Sequence, residues 1–362
     1  MKVAVLIDTW FPFIGGGQVN AWEISRRLAQ KGVSIDIIAR NNGKDQQAQV
    51  KNLTIYKLGP RSAPRNSLSK IIFLTRAFFF ILKRDSDLVH AHAFLPGIVA
   101  KLLMIFKGVP AVFTVHGTSI NTELNNPISR WLEKFILTQI RYSTQITVSR
   151  DFLKIKNINK KVIYIPNGID TRRFDKIQVS KSQDPTLIFV GRLHPQKNLK
   201  SLIKAVSQVR QEIPRIRLLI VGEGDLKKEL QEQVKRLNLN KNVKFLGEKI
   251  GDDLIRLYKS SHLFILPSIY EGQPLTLLEA WAAKLPIIVS KTGDCRYLVE
   301  DGINGYLINN PYDTEDIAEL IVLTLRNKNL EKMGQNGYNL VSERFSWEKS
   351  GEKTLKLYRK FT

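Results

Sequence analysis

Residues 262–281 read HLFILPSIYEGQPLTLLEAW, and this stretch decides the fold. A short run that is apolar at nearly every position leads into a Gly-Gln-Pro turn, and the turn leads into a segment with helical spacing of its apolar residues. A strand that is apolar on both faces and followed by a helix is typical of a parallel sheet covered on two sides. Two carboxylates, Glu271 and Glu279, stand on either side of the turn, although neither a buried strand nor a core helix requires them.

The same alternation continues along the whole chain and predicts doubly wound α/β architecture. Each predicted strand is short, rich in β-branched residues and followed by a helical pattern. The predicted strands of the first half are KVAVLID, SIDIIAR, LTIYKL, DLVHAH, AVFTVHG, QITVS and KVIYIPNG, and those of the second half are TLIFVG, RLLIVGEG, VKFLG, HLFILPS and PIIVSK.

The length of the chain favours two domains, because 362 residues are too many for one ordinary core. A polar segment without helical period, residues 167–186, separates the two series of strands, and we interpret it as a linker. We therefore predict domains over residues 1–168 and 169–346, facing each other across a cleft. Ligands of open α/β sheets bind outside the carboxyl ends of the strands, so the residues just after each strand are the functional candidates.

The cysteine count and the apolar segments bear on the compartment. A single cysteine, Cys295, excludes an intramolecular disulfide and favours the reducing cytoplasm. The first residues, MKVAVLIDTW, hold too short an apolar run for a signal peptide. The longest apolar stretch, residues 71–82, is shorter than the roughly 20 residues of a membrane-spanning helix and is interrupted by Arg76. We expect a globular cytoplasmic protein without a membrane span.

The net charge of +23 at pH 7 is the unusual feature of the composition. Nucleic acid, an anionic membrane surface and a phosphorylated substrate are the three classes of partner that could use it. Residues 1–170 carry 24 Lys and Arg against 10 Asp and Glu, whereas the remaining residues carry 32 against 23. The excess of positive charge is therefore concentrated in the first half.

Two features follow strands of the first half. Gly15, Gly16 and Gly17 come after the first strand and precede an amphipathic helix. Glycines let the backbone approach a ligand and offer peptide N–H groups at a helix N-terminus, which suits a phosphate or a reacting oxygen; a flexible loop is the alternative. His116 ends the fifth strand with Gly117 behind it, and it is a candidate for ligand contact as well as for a structural role.

Charged and small residues follow two strands of the second half. Arg192 and Lys197 precede a helix predicted to begin near Asn198, so two cations and a helix N-terminus converge, which fits a diphosphate. A solvated surface pair is the alternative. The next strand ends in VGEGD, which lacks the third glycine of a dinucleotide fingerprint. We expect Gly222 and Gly224 to make room for a flat ring such as a nucleobase.

The turn between Glu271 and Glu279 suits a ligand with two kinds of group. Pro274 is favoured in the first turn of a helix, so the helix is predicted to begin near Gln273 or Pro274. The backbone amides of residues 274–276 would then point between the two carboxylates. Carboxylates bind sugar hydroxyls and free amides bind phosphate, so one loop could hold both ends of a nucleotide-sugar. As the alternative, Glu279 is a solvated helix residue.

The chain resembles the retaining glycosyltransferases of the GT-B class, family 4, over essentially its whole length. Seven motifs occur in the order of that family: GGGQ, TVHG, IPNGID, FVGRLHPQKN, VGEG, the pair Glu271 and Glu279 with seven residues between them, and DGINGYL. The resemblance implies two Rossmann-like domains, of which the C-terminal one binds a nucleotide-sugar. It also implies that a final helix, about residues 347–361, packs back on the first domain, and that neither a cofactor nor a metal is required.

The resemblance further implies roles for single residues. Arg192 and Lys197 would neutralise the diphosphate leaving group, His116 would contact the sugar and help to place the acceptor, and Glu279 would bind the ribose. Glu271 would hold the donor sugar. The remaining implied contacts are Gly15 and Gly16 beside the acceptor, Gly272, Gln273, Pro274 and Leu275 on the donor sugar, and Glu223, which with Gln273 is expected to bear on donor choice.

This sequence departs from the family pattern in two places. Gln273 and Pro274 replace the common Phe-Gly pair, which leaves sugar selectivity open. The segment TGDC, residues 292–295, stands where a Gly-Gly-x-x-Glu loop is common, and whether Asp294 substitutes for its acidic residue is open.

Asp85-Ser86-Asp87 matches the D-x-D pattern that holds a divalent metal in another class of glycosyltransferase. It comes after a helix and before a strand, so we interpret it as a turn.

Residues 60–84, PRSAPRNSLSKIIFLTRAFFFILKR, combine a wide apolar face with basic residues. Packing of a crossover helix on the sheet explains most of this hydrophobicity but not the basic flanks, and such a stretch can bind an anionic lipid surface. We expect the first domain to dock on the inner face of the cell membrane and to take a lipid-linked or glycolipid acceptor. The basic residues are Arg61, Arg65, Lys70, Arg76, Lys83 and Arg84.

The predicted function is transfer of a hexosyl group from a UDP- or GDP-linked sugar with retention of anomeric configuration. An epimerase or phosphorylase acting on a nucleotide-sugar is the alternative on the same fold. A basic nucleic-acid-binding protein is the alternative of another class, but no helix-turn-helix, RRM-like or zinc-finger pattern supports it.

Overall fold

The computed structural model describes residues 1–13, 15–43, 49–63, 66–117, 127–156, 158–159 and 161–362, so Arg65 of the basic segment lies outside the described residues. The chain divides into two compact units. The first unit contains Met1–Gly168 together with Trp347–Thr362, and the second contains Ile169–Ser346. Each unit is built on its own parallel sheet with surrounding helices, which confirms the predicted α/β class.

Thirteen strands occur in the described residues, and all the pairings between them are parallel. The twelve predicted strands are confirmed, whereas the short β13 was not predicted. The strands are β1 (Lys2–Ile7), β2 (Ser34–Arg40), β3 (Leu53–Leu58), β4 (Leu88–His92), β5 (Ala111–Val115), β6 (Thr144–Thr147), β7 (Val162–Tyr164), β8 (Thr186–Val190), β9 (Arg217–Val221), β10 (Val243–Gly247), β11 (Leu263–Leu266), β12 (Ile287–Ser290) and β13 (Tyr306–Ile308).

Helices connect most of these strands, and some are opened by a side-chain cap that satisfies a free N–H group. Asn66, for example, accepts a hydrogen bond from the N–H of Ser69 at 2.9 Å. The helices are α1 (Gly16–Gln30), α2 (Ser67–Leu82), α3 (Phe94–Phe106), α4 (Pro127–Thr138), α5 (Thr171–Asp175), α6 (Leu199–Glu212), α7 (Lys227–Arg236), α8 (Gly251–Ser260), α9 (Leu275–Ala282), α10 (Cys295–Leu298), α11 (Thr314–Arg326), α12 (Leu330–Arg344) and α13 (Trp347–Tyr358).

Both sheets are doubly wound, and each has one point where the order of strands reverses. The first sheet runs β3-β2-β1-β4-β5-β6-β7, and the second runs β10-β9-β8-β11-β12-β13. The reversal lies between β1 and β4 in the first sheet and between β8 and β11 in the second. Ligands of this architecture bind at the carboxyl ends of the strands beside such a switch point.

The final helix, α13, packs on α1 within the first unit. Arg27 on α1 lies 3.0 Å from the Glu348 carboxylate. The buried hydroxyl of Ser350 donates to the carbonyl of Pro166 at 2.7 Å. These contacts tie the end of the chain to the unit that contains its beginning.

The interpretation of residues 167–186 as a linker is wrong for most of that segment. It includes α5, and Phe174 and Ile177 are buried in the core of the second unit. The Lys259 ammonium donates to the carbonyl groups of both residues, at 2.9 and 2.6 Å. A helix of five residues is too short to show a hydrophobic period, so it could not be predicted from the pattern of apolar residues.

Among the residues that the structure describes, no helix is both long enough and apolar enough to cross a bilayer.

Candidate active site

The loops after β8 and β11 meet at the switch point of the second sheet. Gln196 joins them, because its carbonyl accepts from the N–H of Ile269 at 2.8 Å and its Nε2 donates to the carbonyl of Tyr270 at 2.9 Å. These bonds bring Lys197 and Glu271 into an ion pair. The two side chains are only 14% and 8% exposed, so each charge depends on the other for compensation.

Arg192 and Glu223 follow β8 and β9 at the same edge of the sheet. The N–H of Leu193 donates to the carbonyl of Glu223 at 3.0 Å, which holds the two loops together. The carboxylate of Glu223 pairs with Lys227 at 2.8 Å in exposed surroundings. Arg192 is exposed, so its guanidinium is accessible to an anionic ligand.

Gly222 and Gly224 have a packing role that the sequence analysis did not predict. A Cβ on Gly222 would lie 2.0 Å from the carbonyl oxygen of Gly191, and one on Gly224 would lie 2.4 Å from that of Leu193. Both distances are far inside van der Waals contact. The two glycines allow neighbouring strand-end loops to pack backbone against backbone, and this packing supports Arg192.

Helix α9 begins at Leu275, slightly later than predicted, with Pro274 in the capping position. Pro274 has no N–H group, so the amide that the sequence interpretation assigned to it does not exist. The N–H groups of Leu275 and Thr276 open the helix and therefore have no acceptor within it. Two peptide N–H groups and the positive end of α9 are what this turn offers to an anion.

Glu279 lies on the second turn of α9 and is half-buried. The hydroxyl of Tyr258, a fully buried residue of α8, donates to its Oε2 at 2.9 Å. Burial raises the pKa of Glu279, and the hydrogen bond from Tyr258 opposes that rise. The bond also fixes the direction of the carboxylate, which recognition of a hydroxyl requires.

The two departures from the family pattern contact each other. Gln273 Nε2 donates to Asp294 Oδ2 at 3.1 Å, and both residues are buried. The N–H of Asp294 donates to the carbonyl of Gly272 at 2.7 Å. Gly293 has φ of 53°, and a Cβ there would lie 2.3 Å from that same carbonyl oxygen. The loop after β12 therefore braces the turn that carries Glu271, and the carboxylate of Asp294 is engaged in this brace.

In the first unit, His116 directly follows β5, is half-buried and belongs to a group of imidazoles with the buried His90 and His92. Its Nε2 lies 2.9 Å from Nδ1 of His92, the last residue of β4. The ring of His92 packs against that of His90, with 4.3 Å between centroids and 35° between the ring planes. His90 Nδ1 lies 2.5 Å from the hydroxyl of Tyr358, and its Nε2 lies 2.6 Å from Thr114 Oγ1.

These three histidines are neutral at pH 7, because burial penalises the charged imidazolium. Burial lowers the pKa of His116 to about 4 and that of His90 to about 3, and it lowers the pKa of His92 well below the usual value. A neutral imidazole has one donor nitrogen and one acceptor nitrogen. The groups at the strand ends are thus uncharged hydrogen-bonding groups in the first unit and ions in the second.

The glycines after β1 lie at the start of α1. Gly15 precedes the helix and Gly16 is its first residue. Gly17 is the glycine in contact with His116, because a Cβ there would lie 3.2 Å from His116 Cδ2. The first turn of α1 and His116 therefore share one region of the first unit.

The sequence analysis missed Tyr258, His90 and His92 as supporting residues. His90 and His92 alternate in LVHAH, so both side chains lie on one face of β4, and this spacing was a usable signal. Tyr258 gave no comparable signal, because it is 21 residues away from Glu279 in the chain.

Acidic clusters do not mark a metal site in the described part of the chain. No three or more His, Cys, Asp and Glu side chains there are grouped so that they could hold a metal ion. Asp87 of the D-x-D match accepts from the N–H of Lys2 at 2.7 Å, which places it at the amino end of β1, opposite the edge described above.

Two doubly wound parallel units with these groups at the strand ends define a GT-B glycosyltransferase. A sequence model of "Glycosyltransferase Family 4" matches residues 14–173, and one of "Glycosyl transferases group 1" matches residues 170–340. The UDP-Gal:alpha-D-GlcNAc-diphosphoundecaprenol alpha-1,3-galactosyltransferase of Escherichia coli is 30% identical over 374 residues, covering 94% of each chain. The chain belongs to glycosyltransferase family 4.

Solved structures share this fold at low sequence identity. A sucrose-phosphate synthase from Thermosynechococcus elongatus matches with a TM-score of 0.87 at 23% identity, covering 99% of this chain and 98% of that one. The Anabaena protein HepE, in complex with UDP-glucose, matches with a TM-score of 0.82 at 19% identity, covering 99% and 100%. Both likenesses support the GT-B architecture.

Proposed function

We propose that this glycosyltransferase moves a hexosyl group from a UDP-linked sugar to a lipid-linked or glycolipid acceptor, with retention and without a metal. The observation that carries the proposal is the Lys197–Glu271 ion pair at the switch point of the second sheet. Burying an ion pair costs desolvation and often contributes nothing to stability, so a pair with so little exposure is better explained by a role in ligand binding.

The leaving nucleoside diphosphate gains negative charge as the glycosidic bond breaks. Lys197, the exposed Arg192 and the N–H groups of Leu275 and Thr276 supply positive charge and oriented dipoles to answer it. Lys197 then divides its interaction between the diphosphate and Glu271. The groups are in place before the reaction, as electrostatic stabilisation of a transition state requires.

The two glutamates suit the two sugars of the donor. Glu271, released in part from Lys197, accepts hydrogen bonds from hydroxyls of the transferred sugar. Glu279, directed by Tyr258, accepts from the ribose. His116, Gly15 and Gly16 of the first unit serve the transferred sugar and the acceptor, and Glu223 and Gln273 bear on donor choice.

A UDP-linked donor and a lipid-linked acceptor are supported by known proteins. The Escherichia coli relative is named for UDP-Gal and for a diphosphoundecaprenol acceptor, and the Anabaena structure holds UDP-glucose.

The test of donor and acceptor is incubation with radiolabelled UDP- and GDP-linked sugars, with and without a membrane extract. We expect label to enter the lipid fraction from a UDP-sugar only when the extract is present. Conversion of the sugar without an acceptor would instead identify an epimerase, and release of a sugar phosphate would identify a phosphorylase.

Retention and metal independence are tested by separate measurements of the same transfer reaction. NMR of the new linkage should show the anomeric configuration of the donor. Transfer should persist in excess EDTA, because the cationic groups named above take the place of a metal. Loss of transfer in EDTA with recovery on adding Mg²⁺ or Mn²⁺ would contradict this part of the proposal.

The membrane part of the proposal is supported by an apolar surface on α2, α3 and α4 of the first unit. Helix α3 contacts both of the other two. Burial on the sheet explains only part of the hydrophobicity of α2, since Leu68, Ile71 and Phe79 are 68%, 62% and 53% exposed. The other exposed apolar residues of this surface are Leu102, Ile105, Phe106, Ile128, Trp131 and Phe135.

Basic residues accompany this surface, which favours an anionic bilayer as its occupant. Lys83 and Arg84 follow α2, Arg76 lies on it, and Lys134 lies on α4; all four are exposed. Apolar side chains insert at the boundary between headgroups and acyl chains, while each nearby Lys or Arg adds about 1 kcal/mol of attraction to anionic lipid. We propose that the first unit binds the cytoplasmic face of the membrane in this way.

Flotation with vesicles of anionic lipid tests the surface. We expect co-flotation at low salt, and loss of it in a Phe79→Ser, Trp131→Ser double variant. Leu323→Ser is the matched control, because Leu323 is 52% exposed but lies on α11 of the second unit. Equal flotation of all three proteins, or none by the parent, would refute the surface. Filter binding with RNA and DNA distinguishes the nucleic-acid alternative.

A further inference from the structure

One ring nitrogen of His116 has a hydrogen-bond partner, and the other has none among the described residues. Its Nε2 lies 2.9 Å from His92 Nδ1. Its Nδ1 is buried and has no hydrogen-bond partner in the described part of the chain. A buried polar atom without a partner costs free energy, and such atoms are rare enough in proteins to need an explanation. A substrate group that pairs with Nδ1 supplies one.

The bond between His92 and His116 can be made in two ways. If His92 Nδ1 donates, His116 carries its proton on Nδ1 and buries an unpaired N–H. If His116 Nε2 donates, its Nδ1 is left as a bare lone pair. For backbone groups, orphaned buried N–H donors are rarer than under-used carbonyl acceptors. We extend this preference to the imidazole nitrogens, which favours the second arrangement.

The surroundings of His92 make it a rigid partner. It ends β4 and is 2% exposed, and its ring lies 4.3 Å from that of His90. His90 is in turn within hydrogen-bond distance of Tyr358 and Thr114 through its two nitrogens. His92 is therefore packed against a ring that α13 and β5 both hold.

We propose that His92 is a positioning residue, which keeps His116 protonated on Nε2 and leaves the Nδ1 lone pair to accept a hydrogen bond from a sugar hydroxyl. The identity of that hydroxyl rests on the proposed function, but the state of the imidazole does not. The inference extends the site to a residue that touches no substrate. It also gives the buried histidines of β4 a purpose beyond packing.

The first test is ¹⁵N NMR of the histidine side chains in the full chain, which contains only five histidines. In the parent protein at pH 7 without substrate, we expect His116 to show one neutral form with its proton on Nε2. Signals of His194 and His262, in the second unit, serve as references within the same spectrum. A proton on Nδ1, or an average of the two forms, would overturn the proposal.

Two variants separate positioning from packing. His92→Phe keeps a ring of similar size without a nitrogen, and we expect both forms of His116 to be populated and kcat to fall about tenfold, as for loss of one oriented hydrogen bond. His92→Asn places a carboxamide oxygen near the position of Nδ1, and we expect it to restore the single form and most of the activity. If His92→Phe retains the single form, the proposal fails whatever its activity.

The same experiments keep this inference apart from the proposed function. A single Nε2–H form that depends on residue 92 would support the positioning role even in a protein that transfers no sugar from UDP. Conversely, full transfer activity with a mixture of forms would leave the proposed function intact and refute the role of His92. The parent spectrum and His92→Asn keep the test decisive if His92→Phe does not fold.

Discussion

The carboxyl ends of the two sheets have the same topology and opposite chemistry. At the switch point of the first sheet the buried groups are neutral imidazoles, arranged around His92 and His116. At that of the second, the buried groups are ions, Lys197 and Glu271. The difference teaches that the fold fixes where a ligand can bind, whereas the side chains after each strand decide whether charge or hydroxyl groups are recognised there.

The two edges also differ in how they are held rigid. In the second unit, glycines such as Gly222 and Gly293 bring strand-end loops into backbone contact, so the ions stand on a closely packed base. In the first unit, contacts between side chains hold the strand ends, because His90 lies within hydrogen-bond distance of Tyr358 and Thr114. We therefore expect the ions of the second unit to lose function when a partner is removed. The imidazoles of the first unit should lose function when acid protonates them or when they are displaced slightly.

The largest effect is expected from Lys197→Ala. This change removes a cation from the leaving group and leaves Glu271, whose side chain is 8% exposed, without its counter-ion. We expect kcat/KM to fall by about 10²–10³, the usual result of deleting one preorganised group that stabilises transition-state charge. Steady-state kinetics with the donor that the labelled-sugar assay identifies, together with calorimetric titration of UDP, measure it.

A double variant separates the lost cation from the orphaned carboxylate. Lys197→Ala alone should lower the free energy of unfolding by about 3 kcal/mol, because an uncompensated charge stays largely buried. Adding Glu271→Gln should return most of that stability without returning activity. If activity recovers together with stability, Lys197 acts only by supporting Glu271, and the diphosphate role is wrong.

The second-largest effect is expected from acid, which should lower the free energy of unfolding of the first unit. The pKa values of His90 and His116, about 3 and 4, lie below the value near 6.5 of an unfolded chain, so the native state binds fewer protons between pH 4 and 6.5. Their contribution is complete above pH 6.5 and declines as the pH falls. At pH 5.5 the loss is about 1.4 kcal/mol for each of the two histidines, or about 3 kcal/mol together.

Hydrogen exchange followed by mass spectrometry locates that loss. After correction for the intrinsic exchange rate, peptides of β4 and β5 should lose protection between pH 7.5 and pH 5.5 by more than peptides of β8 and β11. In the second unit, burial lowers the pKa of His262 as well, so a smaller change is expected there. Equal losses in both units would show that the imidazoles of the first sheet are not held neutral.

The sequence predicted the strands well because their signal is local. Runs such as LFIL and LVHAH are buried on both faces, and burial of that kind selects β-branched and apolar residues at successive positions. α5 has five residues, which is less than a period analysis can detect. Close backbone packing leaves no sequence pattern either, so the packing role of Gly222 and Gly224 could not be predicted.

The site was predicted in part for a related reason. Lys197, His116 and Glu279 could be selected because each follows a strand or opens a helix, and those positions are readable in one dimension. The contacts within the site could not be predicted in that way, although Glu271 was itself a candidate. The pairing of Lys197 with Glu271 spans 74 residues and that of His90 with Tyr358 spans 268, so only the folded chain brings them together.

Tyr258→Phe should have a smaller effect, confined to the second unit. It removes the hydroxyl that donates to Glu279 and opposes the rise in pKa of that carboxyl. We expect KM for the donor to rise about fivefold at pH 7.5, as for loss of one hydrogen bond to a charged group, with kcat little changed. Because the pKa of Glu279 rises further in the variant, the ratio of variant to parent KM should grow as the pH is lowered.

Tyr312→Phe is the control for that change, because Tyr312 is exposed and belongs to the same unit. A Tyr258→Phe protein with an unaltered KM across the pH range would mean that Glu279 does not bind the donor in the direction set by Tyr258. A fall in kcat alone would point to a role in the chemical step instead.

The smallest effect is expected from Gly17→Ala in the first unit. A Cβ at this position would lie 3.2 Å from His116 Cδ2, so the imidazole must move by a few tenths of an ångström, which stretches its 2.9 Å contact with His92. We expect kcat to fall about threefold, since small misplacements of a positioning group cost little compared with its removal.

Gly351→Ala is the matched control, because it also replaces a helical glycine of the same unit but meets Arg27 only at 3.5 Å. Both changes should stabilise their helices by up to about 1 kcal/mol, as replacing glycine in a helix does, and only Gly17→Ala should slow the reaction. If the two variants are equally active, the position of His116 does not limit transfer, and the contrast between a first edge sensitive to displacement and a second edge sensitive to charge does not hold.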